Sequence, residues 1–217
     1  MPAECRSVLK ACLAQFVLLD VCGDPVTGEA SKLTTKGFIS IAATAQVETG
    51  QEFTLKNACG ELCIDERDDD EFKRYDLAMD FCQIDPDGLT LISNARSLVD
   101  GDGDARGFAI NRTLKAAPFS LELWTKVAGQ SCSVNGLPEW YYFAFPHVFN
   151  GVVTDTTFED GPLTMKITAH TRDAGPNWGI GPSQVLDPTS PAIAGDHLLG
   201  YITDIQPPDP VCGLQAF

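Results

Sequence analysis

The sequence predicts a mainly-β chain with a single short helix, and three observations carry that reading. From Tyr75 the side chains alternate, with Tyr75, Leu77, Met79 and Phe81 on one face and Arg74, Asp76, Ala78 and Asp80 on the other. A half-buried strand requires that period of two. The period then changes once, where Leu91, Ile92, Ala95, Leu98 and Val99 form one apolar stripe at helical spacing. From Phe119 onward the chain returns to alternating and aromatic runs broken by Gly and Pro.

In chain order, the residues before Phe16 predict a short arm or helix, with Val8, Leu9, Cys12 and Leu13 as its apolar stripe. Phe16 to Val21 reads as a strand and Gly23-Asp24-Pro25 as a turn. Leu33 to Val47 carries Phe38, Ile39 and Ile41 among Thr and Ala, which predicts a strand or a bent pair of strands ended by Gly50. Phe53-Thr54-Leu55 begins another short strand, punctuated by Cys59-Gly60. Arg67 to Glu71 is a charged run expected as a solvated loop.

Lys73 to Leu98 is the unit around which the rest is organised. Its strand leads to Asp85 as N-cap and to Pro86 at the first helical position, where the missing N–H costs nothing. Asp87 follows at the positive end of the helix dipole. The helix is expected over about 86–98, stopped by Asp100-Gly101.

Phe119, Leu121, Leu123 and Val127 alternate with Ser120, Glu122, Trp124 and Lys126, so Trp124 is expected to face outward as an interface anchor. Asn135-Gly136 marks a turn. Trp140 to Phe149 is an aromatic strand interrupted at Pro146, which implies an edge or a bulge. Leu163 to His170 is a clean alternating strand, Gly175 to Pro182 a loop, and Leu198 to Ile205 a last strand. Pro207-Pro208-Asp209-Pro210 predicts an extended, polyproline-like arm.

With 217 residues and 44% hydrophobic content, the chain is long enough to bury a core without staples, and a single domain over 1–217 is expected. No apolar run approaches the length of a membrane span. Met1-Pro2-Ala3-Glu4-Cys5 lacks a basic segment followed by an apolar one, so no secretory signal is expected and a reducing cytosol is. In that setting the eight cysteines read as free, buried thiols. Cys59 and Cys63 are the one close pair, at a spacing loose for zinc and with no second pair or His cluster to complete it. The net charge is −15, and sixteen of the 30 acidic residues lie between Glu48 and Asp104 against five of the 15 basic ones. Such a surface does not hold a duplex or an anionic membrane, but it leaves room for passing nucleic acid without holding it.

No nucleophile elbow, Walker loop, dinucleotide glycine fingerprint or H-E-x-x-H occurs, and His147, His170 and His197 are isolated. Asp100-Gly-Asp-Gly-Asp104 imitates a calcium loop, but Ala105 and Asn111 stand where an EF-hand needs glycine and glutamate. No enzyme activity, cofactor or metal is therefore expected. The rival readings are a calcium-dependent carbohydrate-binding sandwich and an acid–base hydrolase with paired carboxylates.

With these elements in view, the chain resembles the major tail tube proteins of long-tailed bacteriophages. The resemblance spans much of the chain and rests on order and spacing. It is carried by Asn57-Ala58-Cys59-Gly60-Glu61-Leu62-Cys63 and by the strand ending Phe81-Cys82-Gln83-Ile84-Asp85-Pro86 with the helix after it. The strand Leu163 to His170 and the Asn177-Trp178-Gly179 loop also fit. The resemblance implies a two-sheet, barrel-like β-sandwich with one short flanking α-helix and extended N-terminal and C-terminal arms. It implies a virion protein, assembled in the host cytoplasm into homohexameric rings that stack as the tail tube. Tape-measure, tail-terminator and tail-tip proteins would be its partners, and double-stranded DNA would pass through without specific binding. A decoration protein with a similar sandwich is the nearest rival, and the cysteine count departs from the family.

A ring-forming subunit must offer two different complementary surfaces. The candidate assembly contacts are Cys12 in the N-terminal arm, Trp124, and Pro207 and Pro208 in the last arm, with the Leu33 to Gly50 region beside them. The polar side of the organising strand carries Asp76 and Asp80, which are expected to line the lumen and repel phosphate at short range.

Overall fold

Alternation turns most of the chain into strands, twelve of them among the described residues, with one short helix. The structure is a computed structural model that describes residues 8–28, 30–83, 86–128, 136–158, 160 and 163–217. Asp85, Cys132, Asn135 and the residues before Val8, with the roles expected of them, lie outside that set. In order the elements are β1 (Val8–Leu18), β2 (Lys32–Thr35), β3 (Phe38–Glu48), β4 (Glu52–Lys56), β5 (Leu62–Arg67), β6 (Glu71–Phe81), α1 (Pro86–Ile92), β7 (Ala95–Val99), β8 (Ala105–Ile110), β9 (Phe119–Val127), β10 (Trp140–Thr157), β11 (Thr164–Arg172) and β12 (Leu199–Thr203).

Eight strands form one antiparallel sheet in the order β2-β1-β9-β10-β11-β6-β3, with β12 added to the first part of β10. β1 and β6 stand four places apart, which in a flat sheet would separate them by about 19 Å. Yet the rings of Phe16 on β1 and Phe81 on β6 lie 6.2 Å apart. The sheet therefore curls, and its two halves close on a core that includes Phe16, Phe119 and Leu121 from one side and Leu77, Met79, Phe81 and Ile167 from the other. The two facing layers of the expected sandwich are thus halves of one sheet.

β10 makes the curl possible. It runs from the first half into the second, and its register shifts between Phe145 and Val148, beside Pro146, and again between Phe149 and Val152. Asn150 sits at φ 57° in the second bulge. Gly151 follows, where a Cβ would run into the carbonyl oxygen of Ile92. Bulges of this kind bend a strand and raise its twist.

The helix is shorter than expected. It begins at Pro86, as expected, and buries Leu89, Leu91 and Ile92, but it ends at Ile92 and residues 95–99 form a strand. Two side chains explain the break. Ser93 Oγ donates to Leu89 O at 2.7 Å and accepts from Ala95 N at 3.2 Å, while Asn94 Nδ2 donates to Asn111 O at 3.3 Å. Ser and Asn compete with the helix ladder in this way. β7 then pairs with β8, and Leu98 and Val99 of the supposed helical stripe are exposed. The N-terminal segment also differs: from Val8 it is a strand paired with β9, not an arm or helix.

A second apolar cluster lies on the other face of β1, β9 and the start of β10. Leu13, Trp124 and Tyr142 pack there under Trp178, Val185 and Leu186 from the long connection between β11 and β12. Trp124 is fully buried, its ring 5.2 Å from that of Tyr142. The alternation of β9 is as expected, but its second face is covered rather than solvated, so Trp124 is not a surface anchor.

Candidate functional site

Among the described residues, the β4–β5 hairpin is the most exposed pair of strands. Its turn is set by Asn57, whose Oδ1 accepts from the backbone N–H groups of Cys59 and Glu61, both at 2.9 Å, and by Gly60 at φ 85°. At its base Asp70 accepts from Gly50 N at 2.9 Å and from Arg67 at 2.7 Å. Among the described residues no third strand pairs with it, and every residue of both strands is exposed.

The hairpin has two unlike faces. Leu55 and Ile64 are cross-strand partners, Phe53 (opposite Glu66) extends their face by strand alternation, and Leu62 stands opposite Lys56 beyond a register shift. These four side chains are 46–57% exposed. The opposite face carries Glu52, Thr54, Asp65 and Arg67. A two-stranded ribbon is marginally stable alone, because it cannot bury an apolar face against itself. From Glu48 to Glu71 the chain has nine acidic residues and two basic ones. The acidic excess is therefore concentrated around this apolar face.

A second unpartnered surface is the edge of the large sheet. β3 pairs with β6 on one side alone, and its eleven residues include one charged side chain, Glu48, at the end. Long edges without charges or prolines invite pairing with another chain.

Asp76 and Asp80 do face away from the core, but neither is an isolated charge. Asp76 Oδ1 is 2.9 Å from Arg74 Nε and 2.6 Å from His170 Nδ1. Arg74 most of all, and His170 with it, hold the Asp76 carboxyl below the ordinary carboxylate range. Asp80 accepts from Ser40 Oγ at 2.7 Å and stands opposite Lys166 in the sheet register. Nearby, the Arg172 guanidinium lies 4.2 Å over the Phe149 ring. Charges on this face are balanced, not acidic as expected of a lining.

Cys12, Pro207 and Pro208 come together. They line one groove of about 400 Å³ with Lys36, Lys126 and Trp140, between β1 and the arm that follows β12. Of the six described cysteines, Cys12 is half-buried and Cys22, Cys59, Cys63, Cys82 and Cys212 are exposed, because they sit in turns, on the hairpin and in the arm. That corrects the expectation of buried thiols.

Sequence reasoning missed a buried polar cluster. Glu122 is enclosed beneath the β11–β12 connection, where it accepts from Tyr142 Oη at 2.5 Å, Gln15 Nε2 at 2.6 Å and Ser183 Oγ at 2.6 Å. Burial pushes its carboxyl above the ordinary value of 4.5, against the pull of those donors. The only sequence signal was its place between Ser120 and Trp124 on one strand face. His197 is likewise tied, to Thr171 Oγ1 at 2.8 Å and Asp173 Oδ1 at 3.0 Å. The order hydroxyl, imidazole, carboxylate imitates a nucleophilic triad, but Thr171 is buried and its oxygen accepts from Tyr75 N, so it joins strands instead. The Asp100 loop is the turn of the β7–β8 hairpin. Its lead carboxylate accepts from the N–H groups of Asp102 and Asp104 and from Arg106 Nε at 2.6 Å. Among the described residues, no group of three or more His, Cys, Asp or Glu side chains is placed to share a metal ion. No helix among them is long and apolar enough to cross a membrane.

No known protein family matches the chain, and no curated protein is significantly similar to it.

Proposed function

We propose that this chain is a structural virion protein that polymerises as stacked homohexameric rings to form the tail tube of a long-tailed bacteriophage, a conduit for genome ejection. The observation that carries the proposal is the β4–β5 hairpin, whose apolar face is exposed on a ribbon with no sheet behind it. Such a ribbon is explained when a second copy covers Phe53, Leu55 and Ile64. The β3 edge, which leads into the hairpin, supplies a surface of different chemistry. Two unlike surfaces are what head-to-tail contacts need in order to close a ring and then to stack it. The acidic rim of the hairpin keeps free subunits apart until they are concentrated or screened.

The conduit in this reading is charge-balanced. Asp76 and Asp80 are matched by Arg74, His170 and Lys166, so the outer face of β6 offers phosphate no net cation to grip. Negative-stain microscopy of the purified protein at high concentration tests the proposal. Tubes or six-fold rings are the expected result, and particles that stay monomeric at every concentration and ionic strength would reject it.

A further inference from the structure

The arm from Gln206 to Phe217 is fastened at its two ends and loose between them. At its start Trp140 Nε1 donates to Gln206 Oε1 at 3.2 Å, and Gln206 Nε2 donates to Pro138 O at 3.1 Å. At its far end Gln215 exchanges backbone hydrogen bonds with Lys32, at 2.8 and 3.1 Å, on the edge of β2 that β1 leaves free. Phe217 and Gly28 exchange a further pair at 3.2 and 3.3 Å, and Leu214 packs against the main core.

The stretch between these anchors is different. Three of residues 207–210 are prolines, which have no N–H to give, and residues 207–212 make no hydrogen bond to the sheet. Val211 is half exposed. Two cavities of about 400 Å³ each flank the stretch, one lined by Cys12, Lys126 and Trp140 and the other by Thr35, Gln83 and Cys212, with Lys36 and Pro210 shared. Gln215 Nε2 is buried without a partner. The seat is specific at its ends and poorly filled in the middle.

We propose that residues 206–217 are an exchangeable strap, seated on their own chain in the free subunit and on the same groove of a second copy when copies associate. The occupant follows from the groove itself, which already holds this sequence by contacts that a neighbour's strap reproduces identically. Exchange of an identical element costs little, because the contacts are the same and the hinge alone differs. The hinge favours reach: a polyproline-like stretch advances about 3.1 Å per residue and resists folding back. In the free chain the strap wins because its tether holds it near the groove at an effective concentration in the millimolar range. Packing copies side by side removes that advantage. The proposal rests on the reading that copies of this chain associate, and it names a contact by which they do.

A disulfide trap tests it. Lys36→Cys places a thiol on an exposed position that lines the same cavity as Cys212. The variant, with every native cysteine but Cys212 replaced by serine so that the other exposed thiols cannot crosslink chains, is oxidised with glutathione disulfide, first dilute and then at tube-forming concentration, and run on a non-reducing gel. The expected result is an intrachain product in the dilute sample and a ladder of covalently linked chains in the concentrated one. Adding Cys212→Ser removes the ladder. If the first variant fails to fold, Lys126→Cys with Asp209→Cys traps the other cavity in the same way. An intrachain product alone at every concentration, or a ladder that survives Cys212→Ser, overturns the exchange. Tubes with intrachain product alone reject the strap and leave the tube reading standing, whereas a Cys212-dependent ladder without tubes does the reverse.

Discussion

The Tyr142 hydroxyl donates to Glu122 Oε1 at 2.5 Å inside the second apolar cluster, and Ser183 Oγ reaches the other carboxylate oxygen from the connection that covers it. A buried acid thus ties β9 and β10 to a segment some sixty residues further along the chain. Its carboxyl is raised above 4.5 chiefly by desolvation. A folded-state value above the unfolded one means that this group's stabilising contribution is full below the unfolded value. It is lost as the pH rises through the folded value. In Glu122→Gln that slope disappears, while an amide N–H₂ now faces donors, which costs about 1–3 kcal/mol at acidic pH. The stability gap between wild type and variant is therefore expected to narrow as the pH is raised from 4 to 8. Urea denaturation across that range checks it, and a gap that stays constant or widens would contradict the assignment.

Leu77 and Phe81 lie on the core face of β6, each about 1% exposed. Leu77→Ala and Phe81→Ala each remove packing at the meeting of the two sheet halves, and should cost about 2–5 kcal/mol. Either variant leaving the denaturation midpoint unmoved would show that the curl is not closed on these side chains.

Gly151 gives a sharper test of the bend. A methyl group there meets the carbonyl oxygen of Ile92, which is backbone at the end of α1 and has little freedom to move. Gly151→Ala should destabilise by about 1–3 kcal/mol, the usual range for forcing atoms into filled space. Glycine at 107 is the control, since a Cβ there meets nothing closer than the Leu98 side chain at 3.8 Å. Equal melting temperatures for the two alanine variants would put α1 elsewhere.

How much of this was legible in the sequence depends on which neighbour decides each residue's fate. The register of β6 was readable because Leu77, Met79 and Phe81 alternate with polar residues, and both faces behave as the pattern says. The start of α1 was readable from Pro86. Its end was not, because Leu98 and Val99 satisfy a helical spacing from Leu91 while Ser93 and Asn94 close the helix through their own side-chain bonds. The Asp100 to Asp104 stretch that imitates a calcium loop was the missing hairpin signal. Trp124 shows a different limit. Its place opposite Leu123 was correct, but the cover over it comes from Trp178 and Val185, which no local pattern on β9 announces. Local pattern found the β4 strand at Phe53 too, but not that its apolar side has nothing behind it.

That apolar side sets the assembly prediction. Leu55→Ser with Ile64→Ser removes a cross-strand pair that is 57% and 46% exposed. Since the pair supports little of the isolated fold, the stability change should stay within about 0.5 kcal/mol, as for surface positions generally. Tube or ring formation at high concentration should be abolished. Microscopy beside a thermal melt separates the two effects, and normal tubes from the double variant would remove the hairpin from the assembly contacts.

In the proposed tail tube, the outer face of β6 would bear on the passage of DNA. Asp76 answers Arg74 and His170, and Asp80 answers Lys166. Asp76→Asn with Asp80→Asn keeps the shape of both side chains and their capacity to hydrogen bond, but leaves Arg74 without nearby counter-charge and Lys166 with Asp155 alone. If this face lines the conduit, each subunit then presents a more cationic surface to a duplex that carries about one negative charge per 1.7 Å of axis. Each contact would be weak, but a moving genome meets the same pair on every subunit of every ring, and the contacts sum to a drag. Counter-ions limit the effect to about 8–10 Å near physiological salt and extend it when salt is lowered. Ejection from tails built with the double variant should therefore be slowed, most at low ionic strength, while tube length and morphology are unchanged. The same substitutions on an outward-facing surface would not touch ejection at any salt concentration. Equal ejection rates for variant and wild-type tails at low salt would accordingly place Asp76 and Asp80 on the outside of the tube.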